Sequence, residues 1–449
     1  MQNRLKLGLL FVIVGPVASV KADLATWTQW RGPERNCYVT GKSSWPVSLS
    51  KTNFQKRWQL QCGPSYSGPI VSETAIFITE TRNRRTEVVR ALDRKTGREL
   101  WTAEWEGAIS VPFFARANGS WIRATPIFDG HNLYVAGIRD VLVCLDGKTG
   151  KEQWRLDFVK KLNSRLPSFG YVSSPLIDGE FLYVQAGGGV ACVKKQSGQI
   201  VWQTLKDGGG TFGSAFSSPV IATIHGIKQL VVQTRTTLAG VDLKTGKVFW
   251  SVKIPAFRGM NILTPTVIDN QIFTSSYGGK SLLLEIVKSE DENWSVREKW
   301  TAKLQGYMSS PVVIGGHIYL HLRNQRFACL KIASGKICWI SQPFGKYWSM
   351  AVQGKQILAL DQRGELLLIE ANPKQFQLKN RLKISDESTW AHIAVCGNEV
   401  FVRSLNGLMV FRWNARKKSD RNFETSDRIE RERDVSIRYF NGVKATLRK

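Results

Sequence analysis

The sequence RALDRKTGRELW at positions 90–101 combines an Asp, a Thr-Gly pair and a Trp at a fixed spacing. Four other stretches repeat all or part of this spacing: CLDGKTGKEQW at 144–154, CVKKQSGQIVW at 192–202, GVDLKTGKVFW at 240–250 and CLKIASGKICW at 329–339. An Asp side chain accepts hydrogen bonds from backbone amides two or three residues further on, and Gly adopts the left-handed conformation that closes a tight turn. The repeated stretch therefore predicts a hairpin turn followed by a strand that carries a tryptophan.

Each repeat contains more than this turn and its tryptophan. A Ser/Thr-Pro step opens the repeats, at Thr125-Pro126, Ser174-Pro175, Ser218-Pro219, Thr264-Pro265 and Ser310-Pro311. An alternating strand with an aromatic residue follows, for example at 132–135 and 180–184. Period-two apolar runs separated by Asp-Gly, Asn and Gly turns predict β-hairpins. Together with a third apolar strand and the tryptophan strand, each repeat supplies four strands, which make one blade of a β-propeller.

The number of repeats is eight. Their fourth strands are expected at Trp58, Trp101, Trp154, Trp202, Trp250, Trp300, Trp339 and, where the Trp is lost, Leu382. These positions lie about 46 residues apart, within the range of a propeller blade. The last repeat, residues 390–413, has only three strands, so the strand at 54–60 is expected to complete it and remove the free edges of the ring. The predicted fold is all-β: an eight-bladed β-propeller of four-stranded antiparallel blades, closed by an N-terminal strand.

The repeated residues are interpreted as structural. Asp93, Asp146 and Asp242 are expected to organise turns, because their side chains can bond to nearby amides. Each tryptophan is expected to lie across the gap to the next blade and to bury a large aromatic surface there. The number of cysteines is odd at seven, and three of them occupy the same small-residue position of the repeat, at Cys144, Cys192 and Cys329. A small buried side chain explains those three better than a redox or metal role.

The first 22 residues have the features of a secretory signal peptide. Arg4 and Lys6 precede an apolar run at 7–14, and small residues lead to Ala22. The alternative, an uncleaved anchor, requires roughly 20 apolar residues, more than this run contains. The predicted organisation is a signal peptide at 1–22, an N-terminal segment at 23–53, the propeller at 54–413 and a charged C-terminal tail at 414–449. The predicted location is the periplasm or cell envelope of a bacterium, with no transmembrane span in the mature chain.

The charge of the chain is strongly positive, with 63 Lys and Arg against 36 Asp and Glu, a formal net charge of +27. Such a surface attracts anionic partners. Nucleic acid is the least accessible of these to an exported protein, so no nucleic-acid partner is expected. The sequence predicts a monomer that binds a protein or an anionic polymer.

The pattern Ala-x-Asp-x-x-Thr-Gly-x-x-x-Trp, complete at Ala91–Trp101, resembles the tryptophan-docking motif of pyrroloquinoline-quinone-dependent alcohol dehydrogenases. It is equally similar to that of the propeller subunit of the outer-membrane β-barrel assembly machinery, the BamB-like proteins. The resemblance covers residues 54–413, and the stretch WTQWRGP at 27–33 resembles the segment that precedes the repeats in exported bacterial proteins of this class. It implies either a binding or scaffolding module or, as the alternative, a quinone-dependent dehydrogenase that acts on an alcohol or sugar.

The two functions differ in what the family implies for the site. Active dehydrogenases of this family stack the quinone over a Trp, cover it with a disulfide between adjacent cysteines and hold Ca²⁺ with Glu, Asn and Asp beside a catalytic Asp. No two cysteines are adjacent in this sequence. We therefore expect no catalytic residue and no cofactor, with pyrroloquinoline quinone and Ca²⁺ as the alternative. No metal site is expected at His317 and His321 either, because four residues of a strand span about 13 Å.

Aromatic and polar residues near the start of the repeats are the candidates for ligand binding. Because they lie close to each blade's first strand, they are expected to ring one mouth of the central channel. They are Tyr66, Arg123, Tyr171, Phe216, Tyr307, Trp348, Trp390 and His392. The alternative is that they only plug the channel or pack the loops. An aromatic funnel with one Arg suits a sugar, a quinone or a peptide strand.

Overall fold

The computed structural model of the chain describes residues 25–39, 45–46, 48–210 and 216–414. Strands dominate these residues and form eight separate four-stranded sheets, each antiparallel throughout. The sheets follow one another around a central channel, each with its first strand innermost, and are numbered here as blades 1 to 8 in chain order. The predicted fold class, an eight-bladed β-propeller, is confirmed.

The first strand of the chain, β1 (Phe54–Gln61), belongs to blade 8. Blades 1 and 2 comprise β2 (Ile70–Val71), β3 (Ala75–Arg82), β4 (Thr86–Asp93), β5 (Glu99–Glu106), β6 (Ile127–Phe128), β7 (Asn132–Gly137), β8 (Val141–Asp146) and β9 (Glu152–Asp157). Blades 3 and 4 comprise β10 (Leu176–Asp178), β11 (Phe181–Ala186), β12 (Gly189–Lys194), β13 (Ile200–Thr204), β14 (Val220–Ile224), β15 (Ile227–Gln233), β16 (Thr237–Asp242) and β17 (Val248–Lys253).

Blades 5 and 6 comprise β18 (Thr266–Ile268), β19 (Gln271–Ser275), β20 (Ser281–Lys288), β21 (Trp294–Ala302), β22 (Val312–Ile314), β23 (His317–His321), β24 (Arg326–Lys331) and β25 (Ile337–Pro343). Blades 7 and 8 comprise β26 (Trp348–Gln353), β27 (Gln356–Asp361), β28 (Glu365–Glu370), β29 (Gln377–Lys383), β30 (Ala394–Cys396), β31 (Glu399–Ser404) and β32 (Gly407–Trp413). The helices within the described ranges are short: α1 (Phe158–Leu162) and two 3-10 turns, Phe113–Asn118 and Phe257–Gly259. None of the described helices is long and apolar enough to cross a membrane.

The ring closes through β1, as the sequence predicts. This strand pairs antiparallel with β32, from Phe54 opposite Trp413 to Gln61 opposite Gly407. It is therefore the outermost strand of blade 8, and the stacked rings of Phe54 and Phe411, with centroids 4.9 Å apart, pack inside that pairing. The edge that blade 8 would otherwise expose is covered.

The Ser and Thr residues of the Ser/Thr-Pro steps connect the blades around the channel. The amide of Thr125 donates to Ser174 Oγ (3.1 Å), that of Ser174 to Ser218 Oγ (2.9 Å), and those of Ser218 and Thr264 continue to Thr264 Oγ1 and Ser310 Oγ. These bonds satisfy backbone donors at the blade starts, where the innermost strands are only two to five residues long. This explains why a hydroxyl residue recurs before each proline.

The fourth-strand tryptophans lie at the outer side of the ring, against the Gly of the next blade's turn. A Cβ added to Gly150 would meet Cε3 of Trp101 at 2.4 Å, and one added to Gly198 would meet Cε3 of Trp154 at 2.7 Å. The indole N–H groups donate to backbone carbonyls beyond the gap, as in Trp154 Nε1 to the Lys195 oxygen at 2.8 Å. Trp58, Trp202 and Trp300 meet the turn Gly of the following blade in the same way, and Trp339 donates to the carbonyl of Asn372.

The turn aspartates make the bonds that the repeat pattern predicts. Asp93 Oδ1 accepts from the amides of Lys95 (3.1 Å) and Thr96 (2.8 Å) and from the Thr96 hydroxyl. Asp146 and Asp242 make equivalent contacts. The Thr96 hydroxyl and amide lower the pKa of Asp93. These three residues therefore stabilise turns far from the channel.

Trp250 differs from the other fourth-strand tryptophans. Blade 5 has no Asp-x-x-Thr-Gly turn to receive it, and its indole donates to Gln229 Oε1 of its own blade at 2.7 Å. The side chain is 3% exposed, and it belongs to a core cluster that includes Ile272 and Leu284 of blade 5. Trp250 therefore still packs across the gap to the next blade, as expected, but against apolar side chains of blade 5 and without a receiving turn.

Two predicted segments cannot be compared with the structure. The signal peptide at 1–22 lies outside the described residues, as does the C-terminal tail after residue 414. Part of the N-terminal segment is described, and it has a definite place in the fold, given below.

Candidate binding cavity in the central channel

The N-terminal segment crosses the central channel and closes one end of it. Trp27 exchanges backbone hydrogen bonds with Val71 of blade 1. Arg31 Nη2 donates to the carbonyl of Pro311 in blade 6 at 2.5 Å, and Arg35 Nη1 donates to that of Pro175 in blade 3 at 2.7 Å. Both arginines are almost fully buried. Carbonyls at the starts of blades on opposite sides of the ring are thus joined through one short segment.

Trp30 lies between these two arginines and forms part of the floor of the channel. Its ring has the guanidinium carbons of Arg31 and Arg35 at 5.5 and 5.6 Å from the centroid. His392 packs edge-on against Trp30 and stacks on Trp27, with centroids 5.9 and 6.4 Å away. Burial lowers the pKa of His392 to about 4, so its imidazole is neutral at physiological pH. The floor is therefore an aromatic surface whose positive charges are supplied by the arginines.

Beneath the floor, Cys37 lies beside His392 and Arg31. Its sulfur is 3.7 Å from His392 Nε2 and accepts from Arg31 Nε at 2.9 Å. Burial raises the pKa of this thiol despite the nearby guanidinium. A buried neutral thiol is inert as a nucleophile, so this Cys-His pair is not a catalytic dyad.

Above the floor, a cavity of about 370 Å³ opens toward the other mouth of the channel. Seven of the eight sequence-predicted ligand residues line it: Tyr66, Arg123, Phe216, Tyr307, Trp348, Trp390 and His392. The volume lies within the range of small-ligand pockets, about 300–1,000 Å³. The structure thus brings these residues together around one space, and their role in ligand binding remains a prediction.

Tyr171 does not belong to this set. Its side chain is 2% exposed and packs edge-on against Phe158, with ring centroids 6.4 Å apart, in the core between blades 2 and 3. The expectation that Tyr171 lines the channel mouth is therefore wrong. The connection before blade 3 turns inward after Gly170, where a Cβ would meet Ile138 at 2.3 Å, and this close approach places the next side chain in the core.

Aromatic rings surround the open mouth in nearly continuous contact. On one side, successive centroids are 5.0, 5.9, 4.3 and 4.7 Å apart. The rings of this side are, in order, Tyr277, Tyr307, Tyr347, Trp390 and Tyr66. On the other side, centroids are 5.6, 6.2 and 5.5 Å apart through Phe113, Phe114, Phe169 and Phe216. We call these nine residues the aromatic collar.

Two contacts link the sides of the collar. Tyr66 donates its hydroxyl to the carbonyl of Asn118, at the end of the 3-10 turn that carries Phe113 and Phe114. Arg258 lies over both Phe114 and Phe257, at 5.9 and 5.2 Å from their centroids, and Phe257 packs edge-on against Tyr277 of the other side with centroids 5.3 Å apart. Phe113 is 79% exposed and Phe114 is 53% exposed. Large apolar side chains exposed beside a cavity are typical of an interaction surface.

Arginines lie over several rings of the collar. Arg123 lies over Tyr66 at 5.6 Å, Arg235 over Phe216 at 5.2 Å and Arg323 over Tyr277 at 4.3 Å. Burial lowers the pKa of Arg123, whose Nε has no hydrogen-bond partner. The Trp390 indole N–H is likewise buried and unpaired. Arg123 Nε and Trp390 Nε1 are therefore donors that no protein acceptor pairs, although neither is exposed.

The cavity lining does not fit a Ca²⁺-bound quinone. Among the described residues that line it there is no Asp or Glu, although Ca²⁺ is bound by oxygen ligands, chiefly carboxylates. The carboxyl group of Asp361 lies behind the wall, where its Oδ2 accepts from the Gly345 amide at 2.5 Å and is 3.4 Å from Trp348 Nε1. Over the described part of the chain, no cluster of three His, Cys, Asp or Glu side chains could hold a metal. Whether a cofactor binds at all stays a prediction.

Several collar residues were not predicted from the sequence: Phe113, Phe114, Phe169, Tyr277 and Tyr347, along with Trp30 of the floor. Most of them lie between the fourth strand of one blade and the first strand of the next. An aromatic residue in one of those connections, at a position that the repeat pattern does not specify, is the sequence signal that would have identified them.

The eight blades and the repeated turn and tryptophan define a β-propeller of the pyrroloquinoline-quinone-like repeat class. A family model described as outer membrane protein assembly factor BamB matches residues 84–341, more than half of the chain, and the chain belongs to this family. It is 22% identical to the outer membrane protein assembly factor BamB of Moranella endobia over 342 residues, covering 73% of this chain and 72% of that relative.

Solved structures of proteins with two different functions share this fold. BamB from Moraxella catarrhalis matches with a TM-score of 0.59 at 15% identity, covering 81% of this chain and 99% of that one. The quinohemoprotein alcohol dehydrogenase from Comamonas testosteroni matches with a TM-score of 0.61 at 12% identity, covering 89% and 82%. At such identities the similarity shows the fold alone, so function has to be argued from the cavity.

Proposed function

We propose that this protein is an exported binding module of the bacterial cell envelope, which holds an extended segment of a partner polypeptide in its channel mouth during outer-membrane protein assembly. The observation that carries the proposal is the aromatic collar above a closed floor. Family membership supports the setting, because the matching model is described as an assembly factor.

The chemistry of the collar suits a polypeptide. Aromatic rings pack against apolar side chains, and the exposed guanidinium of Arg323 over the Tyr277 ring suits main-chain carbonyls or carboxylates. The described residues that line the cavity include no Asp or Glu, the side chains from which Ca²⁺ takes most of its ligands. The net charge of +27 adds long-range attraction for an acidic partner.

The test is a binding measurement with a defined probe. An unfolded outer-membrane β-barrel polypeptide, labelled with a fluorophore and diluted from urea, is titrated with the purified full chain, and fluorescence anisotropy is recorded. We expect saturable binding that weakens as salt rises, because exposed charges are screened beyond about 8 Å at physiological ionic strength. Trp390→Ala should weaken binding by about tenfold, as for an aromatic residue central to an interface.

Leu100→Ala provides the matched control. Leu100 is 46% exposed on the fourth strand of blade 1, away from the channel, so its loss should leave the affinity unchanged. Equal affinities for Trp390→Ala and Leu100→Ala would contradict the proposal. So would saturable dye reduction by the purified protein with an alcohol or sugar that depends on added quinone and Ca²⁺, because this is the outcome that the dehydrogenase alternative requires.

A further inference from the structure

Hydroxyl groups surround the cavity of the central channel. They belong to residues at or just before the first strands of blades 2 to 7, and most of them come from the Ser/Thr-Pro steps of the repeat. All of these residues line the cavity, and all except Ser310 are more than nine-tenths buried. We call them the hydroxyl ring: Thr125, Ser174, Ser218, Thr264, Ser309, Ser310 and Ser349.

Each hydroxyl oxygen of the ring accepts one backbone amide, and its own proton remains to be donated. Ser309 Oγ accepts from the Trp348 amide at 2.8 Å, and Ser349 Oγ accepts from the Ile393 amide at 3.1 Å. The other members accept in the same way, from the amide of Gly68 or from that of another member of the ring. The hydrogen bonds within the described residues include none in which a ring hydroxyl is the donor. Because a hydroxyl is a donor as well as an acceptor, the ring offers unused donors to the cavity.

Two buried guanidinium groups lie against the floor side of the ring. Arg35 donates to the carbonyls of Ser174 (3.1 Å) and Pro175 (2.7 Å), and Arg31 donates to that of Pro311. The acceptors of both arginines among the described residues are carbonyl oxygens, a side-chain amide oxygen and a sulfur, with no carboxylate. Burial and the charge of Arg31 lower the pKa of Arg35 to about 9, so it stays protonated at neutral pH. The floor therefore carries two positive charges that no described carboxylate pairs.

The walls of the cavity add no negative charge. Among the described residues that line it, Arg123 is charged and there is no Asp or Glu. The carboxyl group of Asp361 lies behind the wall and already accepts from the amides of Gly345 and Arg363. The inner end of the cavity thus combines hydroxyl donors with buried positive charge, and it suits an anionic group with several acceptor sites. An ionised carboxylate has about four such sites.

We infer that the cavity binds the carboxyl-terminal end of a polypeptide, with the terminal carboxylate at the hydroxyl ring and the preceding side chains against the aromatic collar. The inference rests on the proposed function and adds which part of the partner enters. Hydroxyls that the carboxylate does not reach are bridged to it by water.

The closed floor favours a chain end over an internal segment. A chain that enters by the mouth cannot leave through the floor, so an internal segment would have to turn back within about 370 Å³. The main chain of an internal segment is also neutral, whereas a carboxyl terminus brings the negative charge that the guanidinium groups of Arg31 and Arg35 attract. Shape and charge therefore both favour the terminus.

The test compares two forms of one peptide on the full wild-type chain. The probe has about ten alternating apolar and polar residues, which extend to about 33 Å, and it carries a fluorophore at its amino end. One form ends in a free carboxylate and the other in a carboxamide of nearly the same shape. Fluorescence anisotropy should show that the free acid binds at least about tenfold more tightly, because hydrogen bonds to a charged acceptor are the stronger ones.

The outcomes separate this inference from the proposed function. Equal affinities of the two forms would overturn the inference and leave the proposed function standing, since the collar would then hold a segment regardless of its end. The inference is equally wrong if neither form binds while the unfolded β-barrel polypeptide does. If that polypeptide does not bind either, the proposed function fails as well.

Substitutions in the ring test which groups hold the carboxylate. Ser174→Ala removes one ring hydroxyl, and the ratio of the acid to the amide affinity should fall by about threefold. Thr264→Val should lower the ratio similarly, and it gives up only a long bond of 3.3 Å from the Ser218 amide. Ser173→Ala is the matched control, because Ser173 is fully buried beside the ring but does not line the cavity. Both peptides are measured on the same protein, so a general loss of stability does not change the ratio. An unchanged ratio in both ring variants would show that the hydroxyls do not hold the carboxylate, and the inference would be wrong.

Discussion

The outer side of the ring and the channel mouth both contain tryptophans, but they differ in whether the indole N–H group has a hydrogen-bond acceptor. At the outer side, Trp154 lies on the turn Gly198 of the next blade and donates its N–H to the Lys195 carbonyl. At the mouth, Trp390 contacts other aromatic rings, Tyr66 and Tyr347, and its N–H has no partner. The N–H of the outer tryptophan is thus paired within the fold, whereas that of the inner tryptophan has no acceptor.

This difference follows the phase of the repeat. Trp154 occurs at the fourth-strand position that carries a tryptophan in most of the repeats, next to a turn built to receive it. Trp390 follows β29 in the connection to blade 8, where the repeat imposes no residue type. An aromatic residue in phase with the repeat is thus a blade contact, and one out of phase is a candidate for binding. Four substitutions test this distinction, from the largest expected effect on stability to the smallest.

Trp250→Ala should have the largest effect. The indole is 3% exposed and bonds to Gln229, which is itself fully buried. Truncation leaves a cavity and an unpaired amide, so the free energy of unfolding should fall by about 3–5 kcal/mol. Trp154→Ala should cost less, because this ring is only partly buried. Denaturant unfolding of both variants measures the difference, and losses below about 1 kcal/mol for both would show that these rings do not hold the blades together.

His321→Phe should remove part of the pH dependence of stability. His321 is 2% exposed, lies behind the cavity wall and stacks on Trp348 with centroids 4.9 Å apart. Burial lowers its pKa to about 4. The unfolded chain, with a His pKa of about 6.5, therefore binds the proton more readily, and stability falls by about 3 kcal/mol as the pH drops from 6.5 to 4.

The phenylalanine variant retains the stack but cannot take up the proton, so its free energy of unfolding should fall less over the same pH range. Asp140 and Glu87, whose raised pKa values act in the opposite direction, are present in both proteins and cancel in the comparison. His317→Phe is the control, since that side chain is partly exposed at the start of the same strand. Identical pH slopes for His321→Phe and wild type would show that the His321 ring is not buried in the neutral form.

Gly198→Ala tests the receiving turn. Gly198 has φ +70°, and its added Cβ would meet the Trp154 ring at 2.7 Å. Gly179→Ala is the matched control, because Gly179 has φ +55° but nothing within 4 Å of an added Cβ. The control should lose about 1 kcal/mol from backbone strain alone, and Gly198→Ala about 2–3 kcal/mol in total. Equal losses would mean that the contact with the tryptophan contributes nothing.

The fold could be predicted from the sequence because its determinants are local and repeated. Asp93 with Thr96 and Gly97 specifies a turn within five residues, and the same specification returns often enough to count the blades. Closure by β1 followed from the missing fourth strand of the last repeat. The geometry of Trp250 did not follow, because it depends on the turn that blade 5 lacks, and that absence lies about 40 residues further along the chain.

The cavity could be predicted only in part. Tyr66 and Tyr307 were placed correctly at the mouth because each lies close to the start of a blade's first strand. Tyr171 met the same criterion, but the turn at Gly170 directs it into the core. The role of Trp30 could not be predicted for a different reason. Its position depends on Arg31 and Arg35 reaching carbonyls 280 and 140 residues away, which no local pattern specifies.

Tyr307→Ala should have the smallest effect on stability and a large one on binding. Its ring is partly exposed in the collar and contacts Tyr277 and Tyr347, both of which are also partly exposed. Its removal leaves no cavity in a buried core, so the free energy of unfolding should change by less than about 1 kcal/mol. Affinity for the unfolded β-barrel polypeptide should nevertheless fall by about tenfold, because a collar ring contributes to the complex and not to the fold. Trp154→Ala should give the reverse combination, with lower stability and unchanged affinity at temperatures where it stays folded. If Tyr307→Ala instead lowered stability as much as Trp154→Ala and left affinity unchanged, the collar would be a structural plug of the channel, and phase in the repeat would not separate binding residues from blade contacts.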